Sequence, residues 1–359
     1  MKILMVSPSF PPDCFGGLEV SFRNLYQRAR GHHEVRLLVG WHRARSLVPP
    51  EAHVVDLSGC SGTTSWLRMK KKLDEQLKSF RPDVILTTHA TIPHTSVPTL
   101  CMFHEALNEA SSWKEFLKLK MLNFRVKHLE LLVTSTATAA QKLKEQGFPE
   151  DRIRVIPTGI DLEHFKPALK KQDTESKTFN ILHPARIKLE KGQHLSIDAV
   201  ARLRNRYKKK THLTICGAIS SDRYLDRLRV QAYQQPVTFA PNVVDLLPYY
   251  QNSNLLVYTS MMNEGAPNTL LEGMACGKPV VWFDLPAVRE ATGGQGIAIP
   301  LGSVEKMRDA IQALFEDPTK CKSIGEQARR YVQSKHSWDE IWQQYEETLA
   351  SLHGPLKWI

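Results

Sequence analysis

Residues 255–282 read LLVYTSMMNEGAPNTLLEGMACGKPVVW, and the punctuation of this stretch decides the fold. The run 255–258 is short, apolar and β-rich, so it reads as a buried strand. A loop carrying Glu264 and Gly265 follows. Pro267 then stands where a first helical residue is expected, because its missing N–H is no loss there. Apolar residues recur at helical spacing up to Gly277-Lys278-Pro279, which ends the helix and opens a second apolar run, 279–282. Strand, helix and strand at this spacing make a crossover between parallel strands.

The same alternation runs outward in both directions. In the first half the strand-like runs are 2–6, 34–39, 53–56, 83–86, 99–103, 131–134 and 154–156, with helical patterns at 18–29, 65–80, 111–127 and 137–146. The polar stretch 166–177, KPALKKQDTESK, then interrupts the pattern and reads as a linker. Strand-like runs resume at 179–183, 212–216, 237–239, 255–258, 279–282 and 297–299, and helices at 304–315 and 319–333 close the series. A chain of 359 residues exceeds what one core usually serves. The expected class is therefore α/β, with two Rossmann-like, doubly wound domains facing a central cleft. Their expected limits are 1–165 for the N-terminal domain, 166–177 for the linker and 178–335 for the second domain. A C-terminal helix, 336–359, is expected to pack back on the first domain. Ligands of such sheets bind beyond the carboxyl ends of the strands, so chemistry is sought in the loops that follow them.

Composition narrows the class. Hydrophobic residues make up 42% of the chain and charged residues 24%, as in water-soluble globular proteins. The first apolar run is too short for a signal peptide, and no run of 18 apolar residues spans a membrane. Six cysteines, at 14, 60, 101, 216, 276 and 321, form no CxxC pair, which points to free thiols in a reducing cytoplasm. The net charge of +11 favours anionic partners, among them phosphorylated ligands, acidic lipid and nucleic acid.

The helix opened near Pro267 offers its first N–H groups to a phosphate, and the helix dipole adds favourable potential. From Pro267 to Glu272 it rises about 7–8 Å at ~1.5 Å per residue, so Glu264 and Glu272 suit opposite ends of an extended ligand. Here the sequence resembles the family-4 retaining glycosyltransferases of GT-B fold, also called glycosyl transferases group 1. Glu264 and Glu272 in EGAPNTLLEG resemble that family's paired-glutamate signature, with seven residues between them. The resemblance extends to Gly16-Gly17-Leu18-Glu19 after the first strand and to His104 after Cys101-Met102-Phe103. It also takes in Thr158-Gly159-Ile160-Asp161 with Phe165, Arg186 with Lys191-Gly192, and Ser337-Trp338.

What the resemblance implies is a metal-independent transfer of a sugar from a UDP- or GDP-sugar, which is a co-substrate and not a cofactor. Arg186 and Lys191 would neutralise the donor diphosphate, and fixed cations do stabilise the charge that develops on a departing phosphate. Glu264 would accept hydrogen bonds from sugar hydroxyls, Glu272 would hold the ribose, and His104 would orient the sugar. Gly16 and Gly17 would let backbone approach the phosphates. Val243, Gly265, Ala266, Pro267, Asn268 and Thr269 would line the donor site. The implied acceptor is a glycan, a lipid-linked or another glycoconjugate intermediate, as in cell-surface polysaccharide synthesis. The chain departs from the family at Ala185 and Pro241, where glycine is usual, and at Thr158, where asparagine is common. Pro241 removes an N–H from a loop that often reads the base.

Each residue also has a plainer reading. Isolated glutamates on helices are ordinarily solvated, loop cations are ordinarily just exposed, and a histidine ending a strand is often a hydrogen-bonded core residue. Gly16-Gly17 alone is a turn, and Cys276 is a core-facing helical residue. The basic segment 113–127 and Lys70-Lys71-Lys72 suit helix surfaces or an anionic membrane face, which would place the protein on the inner side of a membrane. Two competing classes stay open. An epimerase or phosphorylase of the same architecture would give different products, and a nucleic-acid-binding protein would show a steep salt dependence. No helix-turn-helix, zinc spacing or RNA-binding aromatic motif supports the last.

Overall fold

A computed structural model describes residues 1–11, 16–41, 49–60, 62–88, 95–103, 129–168, 178–207, 210–262 and 265–353. The chain divides into two compact units, one of Met1–Thr158 with the residues from Asp339 onward, the other of Gly159–Trp338. The first division therefore falls at Thr158 and not at 165. The reason is packing: Ile160, Leu162 and Phe165 join the apolar cluster of Tyr250, Leu270 and Met274. In addition, Ile160 N–H donates to the His336 carbonyl at 2.8 Å. Of the linker expected at 166–177, residues 169–177 lie outside the described residues.

The first unit holds β1 (Lys2–Ser7), β2 (Glu34–Trp41), β3 (His53–Asp56), β4 (Val84–Thr88), β5 (Thr99–Met102), β6 (Leu131–Thr134) and β7 (Ile153–Val155). They form one parallel sheet in the order β3-β2-β1-β4-β5-β6-β7. Helices α1 (Gly17–His32), α2 (Gly62–Phe80) and α3 (Ala137–Glu145) are its described crossovers. Strands β4, β5 and β6 are buried at every residue, as expected of parallel strands covered on both faces. The helical pattern at 111–127 lies outside the described residues.

The second unit repeats the plan with six strands. They are β8 (Phe179–Pro184), β9 (Thr211–Gly217), β10 (Val237–Pro241), β11 (Leu255–Tyr258), β12 (Val280–Phe283) and β13 (Ile297–Ile299). Their order is β10-β9-β8-β11-β12-β13, again parallel. Its helices are α4 (Gln193–Tyr207), α5 (Asp222–Gln231), α6 (Leu247–Asn252), α7 (Asn268–Ala275), α8 (Pro286–Thr292), α9 (Val304–Glu316) and α10 (Pro318–Lys335). One apolar cluster, with Ile197, Leu203 and Ile311, lies under α4 and α9. The other, with Tyr250, Leu270 and Met274, lies under α6 and α7.

The last helix, α11 (Trp338–His353), returns to the first unit. There Trp342 stacks on His32 with ring centroids 5.7 Å apart, and Glu346 lies 3.3 Å from His33. Among the described residues no helix is long and apolar enough to cross a membrane.

Two cations clamp the helices of the second cluster. The Lys278 ammonium donates to the carbonyls of Gln251 at 2.9 Å and Ser253 at 2.7 Å, capping the end of α6. The Arg329 guanidinium donates to the Ala275 carbonyl at the end of α7. Charged donors at a helix C-terminus also oppose its negative dipole end. Lys278→Met keeps the apolar stem but leaves both carbonyls without this donor. A loss of about 1–3 kcal/mol is expected, read as a melting temperature lower by several degrees. An unchanged melting temperature would contradict the capping role.

Candidate functional site

In the second unit the strand order reverses between β8 and β11, and the crevice beyond their carboxyl ends is where such a sheet binds ligands. The loop after β8 carries Arg186 and Lys191. The loop after β11 leads into α7 and carries the candidates from Gly265 to Glu272. Two segments distant in sequence thus meet at one place because β8 and β11 are neighbours.

The loop after β8 is held on both sides. Toward β9, Ala185 N–H donates to Cys216 O at 2.9 Å and Ile187 N–H to Ala218 O at 2.8 Å. Toward β11, Met261 N–H donates to Glu190 O and Thr259 Oγ1 donates to Lys191 O, both at 2.8 Å. Gln193, fully buried, donates from Nε2 to Arg186 O at 2.8 Å. Gly192 follows in the left-handed region, φ +68°, and a Cβ there would lie 2.2 Å from Thr259 O. Only glycine fits both constraints. Arg186 remains exposed, whereas Lys191 is buried with its ammonium 5.8 Å from the Tyr258 ring centroid.

The opposite wall is α7. The structure corrects one detail of its start: Pro267 is the N-cap, with φ −80° and ψ 95°, and Asn268 is the first helical residue. The Pro267 carbonyl accepts from Leu270 N–H at 3.0 Å and Leu271 N–H at 3.2 Å, so the helix begins one residue later than the proline rule predicts. The Pro267 N-cap makes no side-chain hydrogen bond to the first turn, and a helix start is a place where an anion is favoured. Ala266 packs on the same cluster as Tyr250, and Pro267 is buried, which fixes the entry of the chain.

Glu272 lies one turn along this helix. Its Oε2 accepts from Tyr250 Oη at 2.8 Å, and the same hydroxyl reaches the Thr269 carbonyl at 2.9 Å. Burial pushes the Glu272 carboxyl up to about 7, against the opposing pull of the Tyr250 hydrogen bond and of His164. Tyr250 is fully buried and its phenol is pushed well above its usual range, first by burial and then by Glu272. Tyr250 is a candidate the sequence reading does not include. Nothing in PYYQN distinguishes it from a core aromatic until its hydroxyl is seen on Glu272.

Val243 stands at the end of β10 and packs on the apolar cluster shared with Ala266. Its place follows from Asn242, which takes the left-handed conformation at φ 56°. Asn242 N–H donates to Gly217 O at 3.0 Å, and its Oδ1 accepts from Ile219 N–H at 3.3 Å. Pro241 ends an edge strand, where a missing N–H breaks no ladder.

The remaining candidates belong to the first unit or lie outside the described residues. Gly16 and Gly17 open α1 in the first unit, with Gly16 as N-cap. A Cβ on Gly16 would meet Glu19 Oε2 at 2.1 Å, and Glu19 Oε1 accepts from Ser9 Oγ at 2.9 Å. A local packing reason for glycine therefore exists here, beside any approach by a ligand. His104 and Glu264 lie outside the described residues, as does the basic segment 113–127 up to its last residue.

Comparison with known proteins agrees with this arrangement. Residues 15–164 match the family described as Glycosyltransferase Family 4, and residues 165–331 match Glycosyl transferases group 1. A D-inositol 3-phosphate glycosyltransferase of Pseudarthrobacter chlorophenolicus is 28% identical over 55% of this chain and 50% of its own length. The chain spans about half the length of the inositol-phosphate glycosyltransferases it matches. A glycogen synthase of Mycobacterium tuberculosis is 25% identical over 95% of this chain and 92% of its own. Among solved structures, Anabaena HepE in complex with UDP-glucose shares the fold, with a TM-score of 0.81 and 20% identity over 98% of this chain and 100% of that one.

The raised carboxyl of Glu272 has a consequence for stability. Its proton is held more tightly in the folded chain than in the unfolded one, whose value is near 4.5. From there to about pH 7 the folded state binds more protons, so stability falls as pH rises through that window. Above it the penalty is complete, on the order of 3 kcal/mol. Glu272→Gln keeps an oxygen for Tyr250 and removes the charge. The variant is expected to melt higher than the parent at pH 8 and to match it at pH 4.5. Equal melting curves at both values would contradict the buried-charge account.

Proposed function

The chain belongs to the group 1, family 4 glycosyltransferases of GT-B fold, and on that footing we propose that it transfers a sugar from a UDP- or GDP-sugar to an acceptor with retention of configuration. The observation that carries this reading is that β8 and β11 are neighbours, so the loop bearing Arg186 and Lys191 and the segment entering α7 leave the carboxyl ends of adjacent strands. The chemistry of that set matches the parts of a nucleoside diphosphate sugar. Arg186 and Lys191 offset the diphosphate charge, which grows as the glycosidic bond breaks. The start of α7 supplies N–H groups to the same anion. The Glu272 carboxylate, oriented by Tyr250, accepts from vicinal ribose hydroxyls, and donor binding then compensates a charge that is costly to bury alone.

Glu264 and His104 complete the reading on the sugar side, with Glu264 accepting from sugar hydroxyls and His104 orienting the ring. The departing phosphate takes the acceptor proton on the face it leaves, so no side-chain nucleophile is required. Protein cations supply the positive charge, and the reading is metal-independent. Two of the relatives named above differ in what their names specify, D-inositol 3-phosphate in one and glycogen in the other. For this chain the acceptor is read as a glycan or lipid-linked intermediate of cell-surface polysaccharide synthesis. The protein is placed in the cytoplasm, with peripheral contact to an anionic membrane. The basic run on α2 supports that contact in part: Lys71 is exposed, while Lys70 and Lys72 pair with Asp74 at 3.0 Å and Glu75 at 2.7 Å. An epimerase or phosphorylase, or a nucleic-acid-binding protein, finds no support in the families matched.

Thermal melting over UDP, GDP and their sugars tests the donor assignment. A ligand at a hundred times its dissociation constant raises stability by about 2.7 kcal/mol, which is readily seen as a higher melting temperature. One base is expected to stabilise and the other not; no shift with any nucleotide would overturn the reading. Arg186→Ala and Glu264→Ala are each expected to cut transfer by about 10²-fold or more with the stabilising donor. Near-normal transfer in both would refute the residue assignment.

A further inference from the structure

Beneath the loop that carries Arg186 and Lys191, the buried side of β8 is polar where an apolar side chain would fill the space. His183 is 0% exposed, and its Nδ1 lies 2.9 Å from Ser196 Oγ on α4. The ring also lies within electrostatic reach of the Lys191 ammonium. Ser196 Oγ is 3.5 Å from Thr259 Oγ1, and Thr259 Oγ1 donates to the Lys191 carbonyl at 2.8 Å. Ser196 and Thr259 are as buried as His183. Three polar side chains, from β8, α4 and the end of β11, thus form a chain that ends on the Lys191 carbonyl.

We propose that His183 is a positioning residue for the diphosphate of the donor: with Ser196 and Thr259 it forms a dry polar strut that fixes the height and direction of Lys191. The inference rests on the nucleotide-sugar reading given above. Geometry makes the strut specific. Thr259 Oγ1 holds the Lys191 carbonyl, Ser196 links that hydroxyl to the imidazole, and Gly192 leaves the turn no room to rise from Thr259. Burial, with Lys191 acting in the same direction, pushes the imidazole down to about 3, so the ring is neutral across the working pH range. A neutral imidazole with its proton on Nδ1 donates to Ser196 Oγ and leaves that hydroxyl's own proton for Thr259. A protonated ring would set a second cation under Lys191 and oppose it.

The test is calorimetric titration of UDP, GDP, UMP and GMP into the full-length protein and its variants. Lys191 addresses the diphosphate, so a strut that aims it affects diphosphates more than monophosphates. In His183→Phe, which keeps a planar ring without polar atoms, the ratio of diphosphate to monophosphate affinity is expected to fall about tenfold. His183→Asn, whose amide replaces the Nδ1 side of the ring, is expected to restore most of that ratio. A residue that only packs the core would weaken both ligand classes alike and leave the ratio intact. Should His183→Phe fail to fold, the same ratio is read on Thr259→Val, which preserves shape and removes the hydroxyl. If the wild-type protein binds no nucleotide, the donor-site reading falls and the strut with it. If the wild type discriminates and neither His183→Phe nor Thr259→Val changes the ratio, the strut alone is wrong.

Discussion

The turn at Lys191 and Gly192 closes on the end of β11 so tightly that a side chain at position 192 would collide with the Thr259 carbonyl. The rest of the site follows from that contact. A loop bearing two cations would otherwise be free to spread, since nothing apolar holds its exposed half. Hydrogen bonds from Thr259, Met261 and Gln193 tie its carbonyls down, and the link to β9 holds its other edge. The charged side chains are then presented by a backbone that has already lost its freedom. Preorganisation of this kind is what makes fixed charges effective toward a developing anion.

The second wall is built on a tension between stability and use. Glu272 sits where burial penalises its charge, and Tyr250 offsets only part of that penalty. An apolar residue at 272 would make a more stable helix, by the general rule that buried charge is poor for stability. The position is therefore intelligible as a binding residue and hard to explain as a structural one. Lys278 and Arg329, which cap α6 and α7, keep Tyr250 and Glu272 in register from behind.

Most of the architecture was legible because parallel strands buried on both faces leave unmistakable apolar runs. Each of the thirteen strands among the described residues falls on a run identified from composition and spacing, with ends shifted by a residue or two. The division between units was harder. A composition break marked 166–177, yet Ile160 and Phe165 belong to the second core because their contacts are non-local. Pro267 illustrates a finer limit, since proline favours the first helical position and here stands one residue earlier, which only the carbonyl bonds reveal. In the site, charged residues at loop ends were visible as candidates. Tyr250, His183, Ser196 and Thr259 were not, because a buried polar side chain in an apolar run looks like any core residue until its partner is placed.

The most direct test of the account is a crystal structure of this protein with the nucleoside diphosphate that stabilises it. The expected result is a β-phosphate within hydrogen-bonding distance of Lys191 Nζ at the start of α7, with ribose hydroxyls on the Glu272 carboxylate. A nucleotide bound away from the β8/β11 crevice, with Lys191 and Glu272 untouched, would contradict it.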